Sequence, residues 1–262
     1  MTERLDRSQR RRLLKEDEAW IGKPLPPNPP RRAAEAHVRH LALILRDTDI
    51  RNRAVQAAVY AGNVFDATMN QLEKGATACA KGCFHCCTKL VMVTLPDIFR
   101  LAQAVRGKVI DITAAAEASR RITSGHAHNQ ALPCPVLTDQ ACSAYGHRPI
   151  PCRFLLSKSL DACLRIFRDN SGEAFPYADH TTDLRQRMDQ IVQTALVLSG
   201  LPHHHYELIQ SLAVALTVDN AEERWLAGEP LFASVPANAQ EFKYPAVAAA
   251  IEKLAADIRP TL

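Results

Sequence analysis

No apolar run in this sequence approaches the ~18 residues that a membrane helix requires, so no bilayer-spanning segment is expected. The opening stretch, MTERLDRSQRRRLLKEDEAW, lacks the apolar centre of a secretory leader, and its Glu3 and Asp6 argue against an organellar transit peptide. Arginine pairs without such a centre are not an export signal either. These absences give the expectation of a cytoplasmic protein in a reducing compartment, where clustered cysteines serve metal binding or catalysis more than disulfides. Strong charge is also missing: the formal net charge of +4 does not by itself indicate a nucleic-acid partner. Aromatic residues are few, with 8 Phe, 5 Tyr and 2 Trp, and the basic opening stretch holds only Trp20. It therefore lacks the interleaved rings used to stack bases. There is no internal repeat, no sustained alternation of strand and helix, and no GxGxxG-like element.

What is present is an ordinary globular composition, 47% hydrophobic and 23% charged, over 262 residues. That length supports one large domain or two modest ones, with no need of disulfides to compensate for a small core. Residues 1–20 read as a basic helix, and GKPLPPNPP (Gly22–Pro30) places five prolines in nine residues, a stiff extended spacer. Residues 1–30 are thus expected to form an arm and linker, 31–180 a cysteine-cluster domain, and 181–262 a helical region packed on it. Helical periodicity appears over 33–46 and from about 49 to 72, where Ala54, Ala58, Ala61, Phe65 and Leu72 recur at three- and four-residue steps and Gly75 marks the stop. Lys89–Thr94 reads as a short strand, and Thr94 as the N-cap of the helix that follows. Further helices are expected over about 111–123, 181–198 (closed by Gly200), 203–217, a short stretch ending at Gly228, and 237–258. The fold class is mainly α: a helical domain with an irregular cysteine-rich metal-binding segment.

Eight cysteines stand out against this background. Four fall within nine residues, CAKGCFHCC: Cys79, Cys83, Cys86 and Cys87. Four more follow at Cys134, Cys142, Cys152 and Cys163, the first three in a turn-rich stretch. Thiolates are soft ligands suited to zinc and to iron–sulfur clusters. Spacings of two or three residues turn paired sulfurs toward one centre, and Gly82 permits the backbone turn this needs. Adjacent Cys86 and Cys87 would point to opposite faces of an extended chain, so one serves a first centre and the other a second, or one packs or reacts as a thiol. Buried cysteine is often plain core. That reading is as good as ligation for Cys163 in LDACLRIF, and weak for the run of four beside Lys81 and His85.

In order and spacing, CAKGCFHCC followed by CPVLTDQACSAYGHRPIPCR resembles the YkgJ-type cysteine-cluster (CxxCxxCC) family, a zinc- or iron-chelating domain. The matching elements are Cys79, Cys83, Cys86 and Cys87; Cys134, Pro135 and Leu137; Cys142 and Tyr145; and Arg148, Pro149, Cys152 and Arg153. The resemblance implies metal chelation by Cys79, Cys83, Cys86, Cys87, Cys134, Cys142 and Cys152, with Cys163 matching a later cysteine of some members. It leaves the metal open. Pro135 and Pro149 would stiffen the chain beside these ligands. Arg148 and Arg153 would either offset thiolate charge or pair with carboxylates, and Tyr145 would donate to a sulfur or pack.

The expected function is a metal-binding cysteine-cluster protein that holds an iron–sulfur cluster in a redox or structural role. A zinc-binding structural or interaction module is the alternative, and a cluster-dependent enzyme such as a protein lysine methylase a further one. The Cys79-x3-Cys83-x2-Cys86 spacing also occurs in radical S-adenosylmethionine enzymes, but their barrel of alternating strands and helices has no counterpart here. A Cys–His nucleophile with His85, His126, His128 or His147 is a minor reading. His126 and His128 are also candidate auxiliary ligands, whereas His203, His204 and His205 at a helix start point in different directions and read as surface residues. No membrane or nucleic-acid partner is expected, and a protein partner is left open.

Overall fold

The computed structural model describes residues 6–72, 75, 77–80, 82–124, 132–237 and 245–262. In chain order its helices are α1 (Arg7–Asp17), α2 (Arg31–Arg46), α3 (Arg53–Gln71), α4 (Leu95–Val105), α5 (Ile112–Thr123), α6 (Ile150–Phe154), α7 (Leu160–Phe167), α8 (Thr181–Leu198), α9 (Leu208–Thr217), α10 (Ala221–Leu226) and α11 (Pro245–Ile258). Four two-residue strands complete it: β1 (Met92–Val93), β2 (Leu137–Thr138), β3 (Ala141–Cys142) and β4 (Tyr206–Glu207). The architecture is mainly α, as the 3.6-residue periodicity predicts. The chain divides into two compact units, Met1–Leu72 with Asp183–His204 and Ala239–Leu262, and Glu73–Thr182 with His205–Asn238.

In the first unit, α1 opens with a capping box: the Asp6 carboxylate accepts from the Ser8 and Gln9 backbone N–H groups, and the Gln9 side chain accepts from the Asp6 N–H. The segment read from sequence as an arm and spacer makes specific contacts in this unit. Asp17 and Arg39 form a buried two-pronged ion pair at 2.6 and 2.8 Å. Beyond it, the Gly22 N–H donates to the Tyr60 hydroxyl, and the N–H of buried Leu25 donates to Thr68 Oγ1. Small residues on α2 (Ala33, Ala36, Ala42) and α3 (Ala54, Ala58, Ala61) are buried and let the two helices approach closely. Met188, Ile191 and Ala195 of α8 and Ile251, Ala255 and Ile258 of α11 add to the core.

In the second unit, α9 packs against both α4 and α5. β1 and β4 pair antiparallel, with Met92 opposite Glu207 and Val93 opposite Tyr206. Helix α9 begins at Leu208 rather than near residue 203, because Tyr206 and Glu207 are used as strand and cap. The Glu207 carboxylate accepts from the Ile209 and Gln210 N–H groups and from Ser119 Oγ on α5. Gln210 Nε2 donates to Ser119 Oγ and Thr123 Oγ1, which completes the network. Thr94 occupies the N-cap position of α4, as read from sequence, but its side chain makes no capping hydrogen bond. Further along α4, Phe99 packs against Trp225 and Phe232, with ring centroids 5.4 and 5.8 Å apart.

Candidate metal centre

All eight cysteines lie in the second unit and all are free thiols. The first run turns where glycine permits it: Gly82 has φ +87°, and the Cys83 N–H donates to the Ala80 carbonyl. A 3-10 turn over His85–Thr88 then carries Cys86 and Cys87. Two backbone bonds join the distant halves of the motif, from Leu132 N–H to the Thr88 carbonyl and from Cys134 N–H to the Cys87 carbonyl at 2.8 Å. From there the β2–β3 hairpin sets Cys142 opposite Leu137. Asp97 accepts from the Ile150 N–H at the start of α6, the helix that presents Cys152.

The outcome is a cavity of about 350 Å³ lined by six of the cysteines: Cys83, Cys86, Cys87, Cys134, Cys142 and Cys152. The other two sit together beside Cys83. The Ala78 N–H donates to the Ser157 carbonyl, and the Ser157 N–H in turn donates to Cys79 Sγ at 3.4 Å. Cys163, buried on α7, packs where that helix meets the His85–Thr88 turn. The Cys86 thiol raises the pKa of Cys83 and Cys163 and also of Cys134 and Cys152, which puts it near both groups.

The electrostatics describe a crowd of protonated thiols. Burial, then the neighbouring Cys142, Glu207 and Cys86, pushes Cys134 up to about 11. Cys152 is driven well above the ordinary thiol range, chiefly by burial. Cys86 is raised furthest, first by its hydrogen bond with Cys87 and then by burial. Cys83 and Cys163 are raised mainly by burial, with Cys79 and Cys86 adding to both. So many buried thiols lose their protons together when a cation compensates them. Soft sulfur donors from several segments, converging on one cavity, fit a thiophilic metal. Among the described residues, no three Cys, His, Asp or Glu side chains already stand as a finished coordination shell.

The motif's other residues divide. Arg148 lines the cavity, stacks on the Tyr145 ring at 3.7 Å, donates to the Tyr145 and Cys152 carbonyls, and opposes the upward shifts of Cys86 and Cys152. Arg153 instead reaches the Arg148 and Gly146 carbonyls and fastens the loop before α6. Pro149 also lines the cavity. His85 stacks against Phe84. His147, lowered by burial and by Arg100, Arg153 and Lys108, is exposed. Among the described residues, no histidine lines the cavity. Lys81, His126 and His128 lie outside the described residues.

Sequence reasoning missed the rest of the cavity. Glu207, fully buried, and the apolar side chains of Val91, Leu101, Val136, Leu208 and Ile209 line it together with the sulfurs. A glutamate at an N-cap, where Ser, Thr, Asp and Asn are the usual signals, gives little warning of its role. No curated protein and no solved structure matches the chain. Residues 78–175 match the model of one family, CxxCxxCC, described as "Putative zinc- or iron-chelating domain", the family that the cysteine motif resembles.

Proposed function

We propose that this chain is a metal-binding protein that holds an iron–sulfur cluster through its clustered thiolates, in a redox or structural role. The observation that carries the reading is six thiols around one cavity of about 350 Å³. A structural zinc site closes tightly on four ligands. Six sulfurs around a void, with Cys79 and Cys163 grouped beside Cys83, suit a polynuclear centre. The ligands are drawn from Cys83, Cys86, Cys87, Cys134, Cys142 and Cys152, with Cys79 and Cys163 completing a second group. When bound, the cluster supplies one-electron chemistry, and its potential follows from its charge, its hydrogen bonds and its exposure. Arg148 offsets thiolate charge, and the Ser157 N–H donates to Cys79 Sγ, as second-sphere donors do at such sites.

The test is iron, zinc and acid-labile sulfide analysis of the full chain purified without oxygen, read with its visible absorption spectrum. Iron with matching sulfide and broad visible absorption is expected, together with loss of most of both in Cys86→Ala, because Cys86 lies near both groups. Stoichiometric zinc without colour would replace the cluster by a thiolate scaffold. Protein with neither metal sinks both.

A further inference from the structure

The apolar lining is the part of this cavity that metal binding leaves unexplained. Val91, Leu101, Val136, Leu208 and Ile209 make it up. Glu207, Leu208 and Ile209 belong to β4 and α9, outside the segment that matches the chelating family. A metal site needs sulfur and hydrogen-bond donors, whereas branched aliphatic side chains around a void exclude water and favour hydrocarbon. At about 350 Å³ the cavity lies within the ~300–1,000 Å³ range of small-molecule sites.

Its charged residues point to the other end of the ligand. Lys89 and Arg148 both line the cavity, and neither is paired with a carboxylate among the described residues. Lys89 Nζ donates to the neutral Asn170 side chain, and Arg148 donates to two backbone carbonyls while stacking on Tyr145. Glu207, the acid in the lining, is occupied by the Ile209 and Gln210 N–H groups and Ser119 Oγ. Lys89, half-buried and without a carboxylate partner, favours an anion, and Arg148, which also faces the thiols, adds to that field.

We propose that the cavity binds a small organic carboxylate with a hydrocarbon body. The body lies along Val91, Val136, Leu208 and Ile209, and the carboxylate meets Lys89 and Arg148. This deepens the metal reading by placing an organic ligand beside the thiols; Lys89, Val91, Leu208 and Ile209 have no part in holding the metal, whereas Arg148 is shared with the thiolates.

The experiment is calorimetric titration of the full chain, as purified without oxygen, with octanoate and with octylamine, alongside metal analysis of each sample. Saturable octanoate binding at one site is expected, with octylamine weaker by at least about tenfold. Lys89→Glu should weaken octanoate by about tenfold with metal content unchanged, and Leu208→Trp should abolish binding by filling the wall. If Leu208→Trp fails to fold, the rim variant Lys89→Glu decides. Absence of saturable binding, equal binding of the amine, or wild-type affinity in Lys89→Glu overturns the proposal. Metal-loaded protein that ignores octanoate overturns this ligand site and leaves the metal reading intact. Metal-free protein that binds octanoate, blocked by Leu208→Trp, does the reverse.

Discussion

At the scale of single residues, the first unit carries its most consequential polar groups where no charge pattern would place them. Asp17 and Arg39 lie in stretches rich in charged residues, where nothing in the sequence marks these two for burial. In the structure each is about 1% exposed. Removing one partner leaves the other buried and uncompensated, so Arg39→Met should cost roughly 3–5 kcal/mol, whereas Asp17→Leu with Arg39→Met should be far closer to neutral. Urea unfolding of the two variants checks this. Near them, His37 is buried, its Nδ1 lies 2.6 Å from the Tyr60 hydroxyl, and its Nε2 has no partner among the described residues. Burial, with His40 nearby, lowers its pKa to about 4. The sign follows from the depressed folded value. The unfolded chain takes up the proton near pH 6.5 and the folded one only near 4, so the neutral ring's contribution is complete above about pH 6.5 and is lost as pH falls toward 4. Each pH unit between those two values is worth ~1.4 kcal/mol, which makes the loss on the order of 3 kcal/mol. His37→Phe should flatten stability over that interval, and an unchanged slope would assign the loss to other groups.

At the scale of elements, helix positions followed from apolar periodicity, because packing one face of a helix leaves a 3.6-residue signature. The cysteine cluster was legible because few structural needs place four thiols in nine residues. What stayed hidden depended on residues far apart in the chain. The pairing of Thr88 with Leu132 and of Cys87 with Cys134 has no local signal, and neither does the two-residue ladder between Met92–Val93 and Tyr206–Glu207. The start of α9 was misplaced for the same reason. Its cap is a glutamate whose oxygens serve a serine 88 residues away in sequence as well as its own first turn. Glu207→Ala removes the cap and strips the acceptor from Ser119, a combined loss of roughly 2–4 kcal/mol. Because Glu207 also lines the thiol cavity, the same variant should lower metal retention, whereas Thr217→Ala at the far end of α9 should do neither. Thermal unfolding read beside metal content separates these outcomes.

At the scale of the whole molecule, the cysteines and the cavity belong to one of the two compact units, and the other unit holds none of them. The cavity is closed by hydrogen bonds between separate segments, among them Leu132 to Thr88, Cys134 to Cys87 and Leu208 to Val91 through the backbone, and the Ile150 N–H to the Asp97 carboxylate. A loop-rich region built of short turns and two-residue strands opens locally at lower cost than a packed helix unless something else ties its segments together. Thiolate bonds from a metal would do so, and binding free energy then becomes folding free energy for that region. Removal of metal by a chelator should therefore raise amide hydrogen exchange most strongly over residues 82–88, 132–143 and 150–157. Amides of α2 and α3, in the cysteine-free unit, should keep their protection. Exchange that rises equally in α2 and α3 would mean that metal acts on the chain as one cooperative body. Exchange unchanged around Cys86 and Cys134 would mean that the cavity is held by its packing, with the thiols as passengers. Comparing the metal-loaded chain with Cys152→Ala, which removes one sulfur from the cavity wall and leaves the Asp97 contact to Ile150 in place, distinguishes loss of metal bonding from loss of the local fold.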